Sequence, residues 1–196
     1  MKKISILFII TGLVFLGFGA YQWVSQKMAQ QTSLAEAEEL LEKDSDTKTN
    51  LEPTPEASTF SPVTGATAGI LHIPKLESDL PIVEGTDEDE LEKGVGHYDG
   101  TAYPQQNDQI VLSGHRDTVF RRMGELELGD ILTVKVPYGE FSYEIVDTQI
   151  VDADDRSIIK STAPEEVLTV TTCYPFSYVG NAPDRYIITA LPINND

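Results

Sequence analysis

The sequence predicts a mostly β protein: a closed barrel of about eight strands with short helices, preceded by one N-terminal transmembrane helix. Three observations predict it. Short apolar or alternating runs recur through residues 63–196, separated by Gly, Pro, Asn and Asp turn signals. Helical signals in that region are few and brief, which argues against a layered α/β fold. Ahead of it, Ile4 to Val24 forms a run of 21 residues without a charge, long enough at roughly 1.5 Å per residue to cross a hydrocarbon core of roughly 30 Å.

Residues 1–3 carry Lys2 and Lys3, with no comparable basic cluster just after the apolar run. The positive-inside rule therefore puts the N-terminus in the cytoplasm and the remainder outside. A cleaved signal peptide shares this basic-then-apolar layout. The run exceeds a typical signal core, however, and Ala20-Tyr21-Gln22-Trp23 offers no small-x-small cleavage site, while Tyr21 and Trp23 suit a membrane interface. Residues 4–24 are thus expected to be an uncleaved anchor.

Residues 25–62 read as an acidic, Pro-containing tether. Ala35 to Glu42 is helix-capable and can continue the membrane helix outward. From Asp44 on, polar residues with Pro53, Pro55 and Pro62 predict an extended chain.

Residues 63–196 are expected to form the barrel. Strands are predicted at Ile70–Ile73, Gln109–Ser113, Ile131–Val136, Phe141–Val151, Val167–Cys173 and Arg185–Leu191. Thr86 is placed as the N-cap of a short helix ending before Gly94, and Ser161 to Glu166 as a single turn. The whole chain has a net charge of −18, which repels a polyanion at long range and excludes nucleic acid as a partner class.

The chemistry converges on strand ends. Leu168, Val170 and Thr172 alternate with Thr169, Thr171 and Cys173, and Tyr174-Pro175 stops the run, so Cys173 ends a strand. A turn-rich loop through Gly180, Asn181, Ala182 and Pro183 leads to Arg185, which opens the next strand. Adjacent strands joined this way bring the thiol and the guanidinium to one rim. His115, in Ser113-Gly114-His115-Arg116-Asp117, also follows an apolar strand. A nucleophile, a proton-transfer group and an anion-stabilising donor would then share an edge. A lone cysteine is more commonly a small buried hydrophobe, but a single thiol in an extracytoplasmic domain beside a cation is in the setting that favours thiolate.

Among the three histidines, the residues alone do not choose. His72 lies within an apolar strand and His97 in a Gly-rich loop able to border a pocket; each competes equally with His115. Acidic runs at Asp87 to Glu92 and at Asp152, Asp154 and Asp155 lack the fixed oxygen-ligand steps of a calcium loop and read as solvated surface. One cysteine and three scattered histidines give no zinc spacing, and Ser113 lacks the elbow that would expose a serine nucleophile.

Leu168 with Thr169-Val170-Thr171-Thr172-Cys173, the Cys-Tyr-Pro-Phe and Ala-Pro-x-Arg-Tyr flanks, and Ser113-Gly114-His115 together resemble the sortase family, most of all its class D. The likeness runs from Gly69-Ile70-Leu71-His72-Ile73-Pro74 through Val95-Gly96-His97-Tyr98 to Arg185-Tyr186-Ile187. It implies a sortase-type β-barrel with His115, Cys173 and Arg185 as the catalytic residues. It also implies a membrane-anchored cysteine transpeptidase that cleaves a Leu-Pro-x-Thr-type sorting signal in secreted proteins. A thioester acyl-enzyme would then pass the protein to a peptidoglycan precursor or another cell-wall amine. No cofactor is expected; a calcium dependence found in some sortases stays open, without a clear site. The residues leave two alternatives standing: a hydrolytic cysteine peptidase, and a non-catalytic, membrane-tethered barrel that binds a partner.

Overall fold

The computed structural model describes residues 2–47, 57–176 and 180–193. Helix α1, Lys2–Thr47, runs without a break from the apolar segment into the acidic one. No Gly or Pro occurs between Ala20 and Glu52, and Ala, Leu, Glu, Gln and Lys dominate the stretch, so nothing interrupts a helix once it is nucleated. This extends the helix through the beginning of the expected tether and past Asp44, where an extended chain was anticipated. The expected extended run through Pro53 and Pro55 lies outside the described residues.

The apolar half of α1 holds a segment long and apolar enough to cross a membrane, and side chains such as Phe15, Leu16 and Phe18 are exposed around it. The second half docks on the barrel. Ser33 and Ala37 are buried there, small residues that let the helix approach the first two strands and helix α2, Glu88–Lys93, and Thr67 Oγ1 donates to Glu36 Oε2 at 2.9 Å.

Eight strands close the barrel: β1 Thr67–Ile73, β2 Ser78–Glu84, β3 Val95–His97, β4 Gln109–Gly114, β5 Ile131–Val136, β6 Gly139–Asp152, β7 Val167–Tyr174 and β8 Asp184–Pro192. Their order around it is β1-β2-β3-β4-β7-β8-β6-β5. The β2–β3 and β4–β7 pairs are parallel and the others antiparallel. Inward-facing Leu71, Ile82, Ile110, Leu112, Leu132, Tyr143, Leu168 and Ile188 build one core.

Two strands escaped the sequence pattern. Pro81 speaks against β2, yet pairing with β3 begins only at Ile82, so its missing N–H costs no ladder bond on that side. β3 is three residues long, too short for a period to show. Its end is His97, which is therefore a buried strand residue rather than part of a loop. The helix cap also differs: Asp87, not Thr86, is the N-cap of α2, and its side chain makes no capping bond. Ser161 to Glu166 forms a hydrogen-bonded turn, with Glu165 N donating to Thr162 O at 2.9 Å. Asp108 holds that turn. Its carboxylate accepts from Gln109 N, Thr162 N and Ala163 N and from Ser161 Oγ, and these bonds, led by the Gln109 amide, keep it below the usual carboxylate range.

The segment before the barrel is also docked. Ala57–Thr59 is a short 3-10 turn, and Phe60, expected in the tether, packs edge-on to Tyr103 at 4.8 Å and Tyr138 at 5.2 Å between centroids. Gln106 Nε2 donates to Ala57 O and Phe60 O and fixes the approach. An aromatic ring that finds an apolar cleft gains burial whatever the polarity of its neighbours in sequence.

Candidate active site

Three adjacent strand ends build the site. Parallel pairing of β4 with β7 sets Gly114 against Thr172, and antiparallel pairing of β7 with β8 sets Cys173 against Arg185. Thr172 Oγ1, buried, donates to Gly114 O at 2.8 Å and locks the first pair together. His115 comes next in the chain, where the backbone leaves the strand: Phe120 N and Thr118 N donate back to His115 O at 3.0 and 3.3 Å. The resulting turn lays the Phe120 ring across Gly114, so a Cβ at 114 would meet ring carbons at 2.6 Å. Glycine is needed there for close approach.

His115, Asp117, Cys173 and Arg185 line one pocket of about 300 Å3 with residues 180–182. The histidine, cysteine and Arg185 are half-buried, reachable by a substrate yet partly shielded from water. Arg185 Nη1 donates to Asp184 O at 3.0 Å and Ala182 O at 3.4 Å. Its Nε and Nη2 have no hydrogen-bond partner among the described residues, and neither has the Cys173 thiol nor the His115 ring.

Arg116, directly after His115 in the chain, has a structural task that local sequence does not reveal. Its Nη1 donates to Pro175 O at 3.0 Å and Nη2 to Gly180 O at 2.8 Å. One guanidinium thus ties the turn that carries His115 to both ends of the loop that follows Cys173. The adjacency of Arg116 to His115 was the available signal, but its partners are distant in sequence and appear only in the fold.

The other histidines do not line this pocket. His72 faces Asp79 across the β1–β2 ladder, with Nδ1 2.9 Å from Oδ1. His97, 1% exposed, has Nδ1 2.8 Å from Glu84 Oε2 and Nε2 2.9 Å from Ala102 O. Tyr103 stacks on its ring at 4.0 Å and donates to the same Glu84 oxygen. Burial pushes the Glu84 carboxyl up, but the bonds from His97 and Tyr103 outweigh it and hold the group below its ordinary value; burial and Glu84 together drive the Tyr103 phenol well above its own. This network borders a larger pocket, about 600 Å3, walled by residues 58–62, which has no cysteine in its lining.

Among the described residues no three His, Cys, Asp or Glu side chains converge as a metal-binding set. In the inter-strand acidic run, Asp152 Oδ1 accepts from Asp154 N and Asp155 Oδ1 from Ser157 N, each at 2.9 Å, so these carboxylates shape turns. Glu88, Asp89 and Glu90 occupy the first turn of α2, where the helix dipole favours them.

Comparisons with known proteins point to one family with this fold. The Sortase domain family model matches residues 71–193. The chain is 55% identical over 192 residues to Sortase D of Bacillus subtilis (strain 168), covering 96% of this chain and 97% of that one. It is 32% identical to Sortase SrtE1 of Streptomyces coelicolor, covering 89% of this chain and 53% of that one. Among solved structures, a Clostridium perfringens Sortase D5 transpeptidase superposes with a TM-score of 0.68 at 25% identity, covering 85% of this chain and 99% of that one.

Proposed function

The chain belongs to the sortase family of cysteine transpeptidases, and from that premise we propose that Cys173, His115 and Arg185 carry the reaction on a secreted protein's sorting signal. Membership of the family sets aside the non-catalytic barrel. The observation that carries the assignment is the cross-strand pair Cys173–Arg185, with His115 lining the same pocket.

The Cys173 thiolate attacks the scissile carbonyl carbon, and the carbonyl π electrons move to oxygen. Arg185, its Nη1 already anchored to backbone carbonyls, donates from its other nitrogens to that oxyanion. Collapse of the tetrahedral intermediate breaks the C–N bond; His115 gives its proton to the departing amine. The thioester formed is resolved by an incoming amine, whose proton returns to His115 as the thiolate leaves. Arg116, bonded to the carbonyls of Pro175 and Gly180, ties the turn that carries His115 to the strand end that carries Cys173 through both half-reactions.

The signal is a Leu-Pro-x-Thr-type pentapeptide and the acceptor a peptidoglycan precursor or another cell-wall amine. Support for both is the family relationship. Helix α1 is the membrane anchor, with the N-terminus cytoplasmic and the barrel outside, a reading supported by Lys2 and Lys3 ahead of the apolar run. Protease shaving of wall-stripped cells tests it: the barrel should be digested, and full protection would reverse the orientation. The function itself is tested by incubating the detergent-solubilised full chain with a pentapeptide library and an amine, followed by mass spectrometry. Amide products on Leu-Pro-x-Thr sequences are expected. Acid products undiminished by added amine would indicate a hydrolytic peptidase instead.

A further inference from the structure

We propose that the cleft between α1 and residues 117–121 binds the phosphate of an anionic phospholipid at the outer membrane surface. The inference rests on the reading of α1 as a membrane anchor. The cleft, about 540 Å3, is lined by Trp23, Gln26, Lys27 and Gln30 of the helix and by Asp117, Thr118 and Arg121 of the turn that displays His115. Its position follows from helix geometry. Trp23 is at the end of the apolar run, and Lys27 and Gln30 stand about 6 and about 10 Å further along at roughly 1.5 Å per residue, which runs the cleft from within the lipid headgroup layer to its outer edge when residues 4–24 span the bilayer.

The chemistry of the lining is one-sided. Gln30 Nε2 and Thr118 Oγ1 are buried and have no hydrogen-bond partner among the described residues, a state that costs free energy unless something fills it. Both can donate. Lys27 and Arg121 add two cations in a chain of net charge −18. Arg121 Nε and Nη2 donate to Asp117 O at 3.0 and 2.7 Å, which holds its guanidinium beside the cleft. Asp117 is the only carboxylate among the lining residues, and it is exposed. Donors grouped this way fit a ligand made of acceptors, and a phosphodiester supplies them with a charge that Lys27 and Arg121 complement. Lys27 Nζ sits over the Trp23 ring at 4.8 Å, so the ammonium is already held at the level where an indole anchors in an interface.

The cleft adjoins the catalytic pocket, because Asp117 lines both. A lipid bound there would hold the Cys173 pocket against the membrane plane, within reach of membrane-borne substrates.

The test uses the full chain in mild detergent. Native mass spectrometry follows titration with dioleoylphosphatidylglycerol, dioleoylphosphatidylcholine, or inorganic phosphate alone. Wild type should retain phosphatidylglycerol in preference to phosphatidylcholine. Lys27→Gln and Arg121→Gln should each weaken retention about fivefold, and thermal melts should show both variants folded. Equal retention of the two lipids, unchanged retention in both folded variants, or binding of inorganic phosphate with no lipid retained would overturn the proposal. The anchor reading is checked separately by alkaline extraction of membranes: release of the chain would sink that reading and the lipid site with it, whereas a chain that stays in the membrane but shows no lipid preference would sink the lipid site alone.

Discussion

Cys173 of β7 and Arg185 of β8 are directly opposed across an antiparallel ladder. Opposed residues project from the same face of a sheet with Cβ atoms about 5 Å apart, so the thiol and the guanidinium are neighbours by register, independent of the loop that joins their strands. The loop can vary in length without separating them; a one-residue slip of register would put them on opposite faces.

Three substitutions in the pocket should fail differently. Cys173→Ala should abolish both turnover and the thioester adduct detectable by mass spectrometry. With His115 as the proposed proton donor, His115→Ala should lower the rate roughly 10² to 10⁴-fold. Arg185→Lys keeps the charge but loses the planar fork, and should cost about 3 kcal/mol of transition-state stabilisation, read as a fall in kcat. Near-normal turnover in a folded Arg185→Lys protein would make Arg185 a structural charge.

Arg116→Ala should disturb the site without removing any reacting group. It deletes two donors to the carbonyls of Pro175 and Gly180; bonds from a charged donor contribute about 1.5–3 kcal/mol each. Faster amide hydrogen exchange around residue 180 and a raised KM for the peptide are expected, with a smaller change in the rate of thioester formation at saturation. Unchanged exchange and KM would show that the loop holds itself.

The Glu84–His97–Tyr103 network should appear in the pH dependence of stability. The Glu84 carboxyl is held below its unfolded value, so its contribution is fully present above the ordinary carboxylate range and is lost as pH falls through the depressed folded value. Denaturant unfolding between pH 7 and 3 should show that loss, and Glu84→Gln should flatten it. His97→Ala leaves the buried Glu84 carboxylate with the Tyr103 bond but without its ring partner and should destabilise the barrel by about 3 kcal/mol, while the folded fraction still forms the thioester. A folded His97→Ala protein unable to form it would move the proton-transfer role away from His115.

Barrels that begin at residue 57 and at residue 63 should differ in stability. Only the longer one keeps Phe60 between Tyr103 and Tyr138 and the carbonyls that receive Gln106, worth about 1–2 kcal/mol of apolar burial. Thermal melts of the two should separate by several degrees; coincident melts would show that the segment merely rests on the surface.

Much of this protein was legible one residue at a time. The charge-free run before Val24, the period-2 strand ending at Cys173 and the turn leading to Arg185 are local patterns, and each reflects how a short segment partitions between water, membrane and core. Their spacing was enough to bring thiol and guanidinium to one rim and to point to a barrel. Other features depended on partners far along the chain. His97 had the same local claim as His115 until closure of the barrel buried it against Glu84, and β2 and β3 became strands only because neighbours supplied their ladders. Arg116 gained its task from carbonyls about sixty residues away, and Phe60 left the expected tether because a cleft of aromatic rings was there to receive it. Local sequence carries propensity and polarity; which polar groups are buried together is settled by the packing of the whole chain, where an unpartnered group costs more than any single propensity contributes.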